Sequence, residues 1–111
     1  MGIQDWSENV ILMAIAPEPD MSDELRTVTE IVLQRKNCSV VIDFSDAELV
    51  TSSSLAQLLR LQKVLDDHNQ RLVLCGAGTR TRGIFEVTGL DKVFEFVADR
   101  FTALAGVQMA V

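Results

Sequence analysis

The sequence predicts a single α/β domain of four to five strands, mostly parallel, with about four helices packed on them. Three observations carry that prediction. A chain of 111 residues holds one hydrophobic core and leaves no room for a second of independent stability. Its apolar fraction of 48% against 23% charged residues is that of a chain able to bury a core. Short apolar runs rich in β-branched residues alternate with stretches of helical periodicity, an order that leads to parallel strands joined by right-handed crossovers. No repeat and no Gly/Ser/Pro-rich segment divides the chain, so residues 1–111 are read as one domain.

"NVILMAIAP", Asn9 to Pro17, is an apolar run closed by Pro17 and Pro19 and reads as a strand, with a weaker one over Ile3 to Trp6 before it. Ser22 precedes "DELRTVTEIVLQRK", where acids come early, Arg35 and Lys36 come late, and Leu25, Val28 and Val32 recur at helical spacing. "SVVIDF", Ser39 to Phe44, has three consecutive β-branched residues and no helical period, as a strand buried on both faces requires.

From about Ser53 to His68 a helix is expected, with Leu55, Leu58, Leu59, Gln62 and Leu65 as its buried stripe and Arg60, Lys63 and Asp67 opposite. "RLVLCG" is a further buried strand, "TRTRGIFEVTG" a short helix ending near Gly89, "VFEFV" a strand and "DRFTALAGV" a last helix.

A formal net charge of −6 argues against binding a phosphate backbone, which needs clustered Lys and Arg, so no nucleic-acid partner is expected. No run reaches the roughly 18 apolar residues of a membrane span, and the start "MGIQDWSENV" lacks the pattern of a signal peptide. Trp6 stands where a myristoylation signal wants Ser or Thr. A cytoplasmic protein without direct membrane insertion is expected. Cys38 and Cys75, far apart and each beside a strand-like run, read as small buried hydrophobes.

For catalysis the chain is poorly equipped, and it is read as no enzyme, with no catalytic residue, no metal site and no cofactor. His68 is the one histidine. It sits at a helix end beside Asp66 and Asp67, where a cationic imidazole is favoured on the surface. A serine nucleophile at Ser52 would lie at the other end of the same helix, about 20 Å away at 1.5 Å per residue. Nucleophile elbow, Walker loop and dinucleotide fingerprint are all missing.

What stands out is "VTSSSLAQLL", four hydroxyl residues in a row before an apolar helix. One hydroxyl suffices to cap a helix, and Ser53, or else Ser52, is the expected cap. A second use is phosphoryl acceptance, because a helix N-terminus offers free amides and a positive dipole end. Asp43, Asp46 and Glu48 would then lie near the added charge.

These residues resemble a known family. "VVIDFSDAELVTSSSLAQLL" is similar to the central motif of STAS domains, found in bacterial anti-sigma factor antagonists and in sulfate transporters. There a strand ending Asp-Leu-Ser is followed by Asp-Ser-Ser-Gly-Leu opening a helix. Asp43-Phe44-Ser45 and Thr51-Ser52-Ser53-Ser54-Leu55 stand in those places. Gly89, Leu90 and Phe94 fall in register with the family's Gly-Leu-x-x-x-Phe ending, and "PEPD", Pro17 to Asp20, takes the place of a Gly-Glu-Leu-Asp turn, keeping both acids.

The resemblance implies a mixed sheet with helices packed on it and a signalling, protein-binding role in transcription regulation. It places the phosphorylated serine on Ser52, with Thr51 and Ser53 as alternative acceptors. The partner it implies is an anti-sigma factor of the histidine-kinase-like ATPase type, which spends its own ATP on the serine, with a serine phosphatase to reverse the step. The expected docking surface comprises Asp20, Thr51, Ser52, Ser53, Ser54, Arg60 and Lys63. Thr51 and Ser54 replace the motif's Asp and Gly. That departure keeps a second role open, a STAS adaptor subunit of a signalling scaffold or membrane transport complex that is never phosphorylated.

Overall fold

Five strands make one sheet in sequential order β1-β2-β3-β4-β5 in the computed structural model, which describes residues 2–109. Of the domain read over 1–111, residues 1, 110 and 111 therefore lie outside the described residues. Strand β1 (Gly2–Ser7) pairs antiparallel with β2 (Val10–Ala14), whereas β2, β3 (Ser39–Asp43), β4 (Leu72–Cys75) and β5 (Glu95–Val97) run parallel. The sheet is thus mixed and mostly parallel. Strands β3 and β4 are buried at every position, which explains why their sequences show no polar alternation. The edge strand β1 is largely exposed, with Asp5 in an ion pair with Arg35 at 2.7 Å.

Three helices, α1 (Met21–Gln34), α2 (Ser52–Asp67) and α3 (Thr79–Val87), cover one face. Leu25, Val28 and Val32 of α1, Leu58, Leu61 and Leu65 of α2, and Phe85 of α3 close over Ile11, Met13, Val40, Ile42 and Leu74 of the sheet. Each such side chain, fully buried, contributes about 1.5–3 kcal/mol. Among the described residues, helix α4 (Arg100–Met109) alone covers the other face, laying Ala103, Leu104 and Val107 on Val10, Leu12, Val41, Val73 and Cys75. Cys38 and Cys75 are free thiols, both buried in these layers as expected.

The structure redraws several boundaries. Helix α1 begins at Met21, one residue before Ser22, with Asp20 at the cap position and no side-chain cap bond. Helix α3 ends as expected before Gly89, which adopts φ +76°. A 3-10 turn over Leu90–Lys92 follows that periodicity did not reveal. Only Glu95–Val97 of "VFEFV" pairs as a strand. Phe94, just before β5, and Phe96 within it both meet Phe85 edge-on, with ring centroids 5.5 and 5.0 Å away. Arg71, just before β4, ties that edge together through an ion pair with Glu95 and a hydrogen bond to the Gly106 carbonyl at 2.9 Å.

The expected buried stripe of α2 is corrected too. Its buried residues are Ser54, Leu58, Leu61 and Leu65, while Leu59 is exposed and Leu55 and Gln62 are half-buried. At 100° per residue the first four fall within a sector of about 60°, whereas Leu59 lies about 100° beyond Leu58. Parallel strands bring their carboxyl ends together, so the β2–α1, β3–α2 and β4–α3 connections emerge at one end of the sheet. "TSSS" lies there.

Candidate functional site

Helix α2 is capped by Thr51, in extended conformation at φ −82° and ψ 168°, whose Oγ1 accepts from the Ser54 amide at 3.3 Å. The expectation that Ser53, or else Ser52, is the cap is therefore wrong. Both already lie in the first turn, exposed to solvent. The register is chosen by the stripe: one turn before Leu58 comes Ser54, which must point inward, and the cap of a helix bonds the amide three residues on.

Ser54 is fully buried, and its hydroxyl is satisfied from another part of the chain. It donates to Glu18 Oε2 at 2.8 Å, and the same oxygen accepts from the Thr51 amide at 2.8 Å. The Thr51 hydroxyl lies 3.4 Å from Ser54 Oγ, so the two hydroxyls and the carboxylate form a chain. Glu18 belongs to the "PEPD" loop between β2 and α1, which is pinned again where Glu24 Oε1 accepts from the Ala16 amide at 2.7 Å. Sequence reasoning noted the acid in "PEPD" without giving it a role. Asp20, from the same loop, is exposed and has its backbone amide bonded to the Pro17 carbonyl.

The acids expected near the serines are placed differently. Asp43 turns toward the α4 face and is 6% exposed. Its Oδ1 accepts from the Ser45 amide at 2.9 Å and the Ser45 hydroxyl at 2.5 Å, and its Oδ2 from Arg100 Nε at 2.9 Å and an Arg100 terminal nitrogen at 2.7 Å. Burial pushes this carboxyl up, but the Ser45 hydroxyl and the Arg100 guanidinium, with the Ser45 amide, outweigh it and hold it below the usual range. The neighbouring Cys75 thiol is pushed up to about 12, first by burial and then by the charge of Asp43. Gly76 makes this packing possible, since a Cβ there would lie 2.5 Å from Asp43 Oδ1 and 2.6 Å from Ser45 Oγ. Glu48 is exposed and reaches Arg80 at 3.8 Å.

Ser52, Ser53 and Thr51 thus share one exposed helix start with the loop carrying Glu18 and Asp20, while Ser54 is shut beneath it. An open depression of about 370 Å³, lined by Pro17, Glu18, Ser45, Asp46, Glu48 and Leu49, adjoins it. Arg60 and Lys63 stand exposed farther along α2, with Lys63 3.7 Å from Asp67. Exposed Leu49, to which the sequence reading gave no role, and Leu59, which it expected in the buried stripe, add apolar surface. His68 ends α2 far from Ser52, half-buried where full exposure was expected, its Nδ1 buried without a partner among the described residues. The imidazole of His68 and the exposed hydroxyl of Ser52 thus stand at opposite ends of α2.

Comparison with known proteins agrees with the fold. The structure superposes on the Thermotoga maritima protein TM1081 with a TM-score of 0.78 at 14% identity, covering 96% of this chain and 93% of that one. A STAS domain protein from Planctomyces limnophilus gives 0.73 at 19% identity, covering 96% and 97%. The Bacillus cell fate determinant SpoIIAA in its phosphorylated form gives 0.73 at 14%, again covering 96% and 97%. At such identities the likeness is one of fold. A family model described as "Mlab, STAS domain" matches residues 6–98, and by that match the chain belongs to the STAS domain family.

Proposed function

We propose that this protein is a cytoplasmic bacterial anti-sigma factor antagonist, a non-enzymatic binding module switched by phosphorylation of Ser52. The observation that carries the reading is the division of the hydroxyl run. Thr51 is spent on the cap and Ser54 on Glu18, which leaves the exposed Ser52 and Ser53 hydroxyls without a structural bond among the described residues. A phosphoryl group there adds a charge of nearly −2 to a surface already bearing Glu18 and Asp20. The unmodified surface, Asp20, Thr51 to Ser53, Arg60 and Lys63, binds an anti-sigma factor of the histidine-kinase-like ATPase type. That partner phosphorylates Ser52 with its own ATP, and a serine phosphatase restores the binding form. Ser54, though in the motif, lies too deep to touch a partner. Mass spectrometry after incubation with the cognate kinase and ATP tests this. Phosphate on Ser52, lost in Ser52→Ala, is expected; equal modification of Ser52→Ala elsewhere sinks the assignment.

A second reading, a STAS adaptor subunit that is never phosphorylated, is favoured by one observation. Glu18, Thr51 and Ser54 close the helix start into a bonded unit suited to a permanent interface. Pull-down with Ser52→Asp separates the two, since a partner retained at wild-type level speaks for the adaptor.

A further inference from the structure

We propose that Glu18 is a latch which a phosphoryl group on Ser52 opens, so that modification loosens the docking surface as well as charging it; this rests on the Ser52 reading above. The first turn of α2 is already supplied with an anion. The Thr51 amide is held by Glu18, the Ser54 amide by Thr51 Oγ1 and the Leu55 amide by the Thr51 carbonyl. The carboxylate therefore occupies the positive end of the helix, where a single negative charge is stabilised.

A phosphoryl group on the next residue brings nearly twice that charge and three acceptor oxygens to the same end, with the amides of Ser52 and Ser53 within reach. The two anions compete, and the phosphate is covalently held while Glu18 is not. Glu18 has no ion pair among the described residues to hold it against that repulsion. When it leaves, the buried Ser54 hydroxyl still has the Thr51 hydroxyl 3.4 Å away, so opening does not strand a polar group. The loop carrying Asp20 loses its tie to α2. Both ends of the latch depend on this chain's own residues: an Asp at position 51 would set a second carboxylate against Glu18, and a Gly at 54 would remove the hydroxyl.

The test installs phosphoserine at position 52 by genetic encoding, which removes any dependence on a kinase, and follows amide hydrogen exchange at Thr51 and Asp20 by NMR. Loss of a charge-assisted hydrogen bond predicts exchange at Thr51 about tenfold or more faster in the phosphorylated chain, matched by unmodified Glu18→Ala. In Glu18→Ala, phosphoserine should add less than about a further twofold. Thr51 exchange in the phosphorylated chain within about twofold of the unmodified one overturns the latch and leaves the switch to act by charge alone. Unaltered exchange in Glu18→Ala overturns it as well, whereas a kinase that ignores Ser52 is detected separately, by the mass spectrometry above.

Discussion

Two glycines offer a controlled measurement of how tightly the end of β3 is built. Gly76 and Gly89 both adopt left-handed backbone, at φ +69° and +76°. An alanine at either position carries the left-handed penalty of about 1–2 kcal/mol, offset by about 0.4–1 kcal/mol from a stiffer unfolded chain. At Gly89 nothing lies within 4 Å of the new Cβ, so that small balance is the whole effect.

At Gly76 the Cβ meets Asp43 Oδ1 at 2.5 Å, Ser45 Oγ at 2.6 Å and the Ser45 backbone nitrogen at 3.2 Å. Neither side chain has an easy retreat. Asp43 is short, nearly buried and held by Arg100 through its other oxygen, and one clash is with backbone. Moving the carboxylate breaks its bonds with Ser45, each of the charge-assisted kind worth about 1.5–3 kcal/mol. Gly76→Ala should therefore cost about 2–4 kcal/mol more than Gly89→Ala, a large share of the 5–15 kcal/mol typical of a domain. Urea denaturation followed by far-UV circular dichroism gives both values. Equal costs for the two would show that Asp43 and Ser45 yield freely and that the network is not rigid.

The cap makes a second test: Thr51→Ala should lose about 1 kcal/mol in the same assay, while Ser52→Ala and Ser53→Ala stay within about 0.5 kcal/mol. Acid titration supplies a third. Because the Asp43 carboxyl is lower in the folded state than its unfolded value of about 3.9, its contribution is complete above that value and is lost as pH falls through the folded one. Asp43→Asn should accordingly lose less stability than wild type between neutral and strongly acid pH; parallel curves would contradict this. Thiol titration with an aromatic disulfide is a fourth, with Cys75, raised to about 12, unreactive in the native protein and reactive only in denaturant. Rapid native labelling of Cys75 would show that β4 opens.

The layers of the fold were legible because they depend on pattern. Buried runs such as Val40 to Ile42 have one use, and Leu25, Val28 and Val32 one face. The hydroxyl run was not legible in the same way, since all four residues cap helices well in isolation and the choice falls to packing. Even so, a signal was present. Carrying the stripe back from Leu58 by one turn lands on Ser54, which fixes Thr51 as cap three residues earlier and removes Ser53 from the role. Glu18 and Arg100 had no comparable signal, because their partners lie 33 and 57 residues away and become neighbours only once parallel pairing gathers the strand ends.

That gathering also explains why the candidate switch stands where it does. The connection from β3 to α2 is fastened at its start by Ser45 to Asp43, midway by the Thr81 hydroxyl donating to the Ala47 carbonyl at 3.2 Å, and near its end by buried Val50. Each of those ties is buried or rests on a nearly buried acid that Arg100 neutralises, so charge added outside perturbs it little. The bond from Glu18 is different: its carboxylate is half-buried, carries no ion pair among the described residues, and reaches the one turn where Ser52 and Ser53 are open. A helix start held rigidly from below and loosely from the side has one component that a surface charge can displace. The contrast between Asp43, fixed by a cation, and Glu18, fixed only by neutral donors, is what separates the scaffold of this site from its movable part.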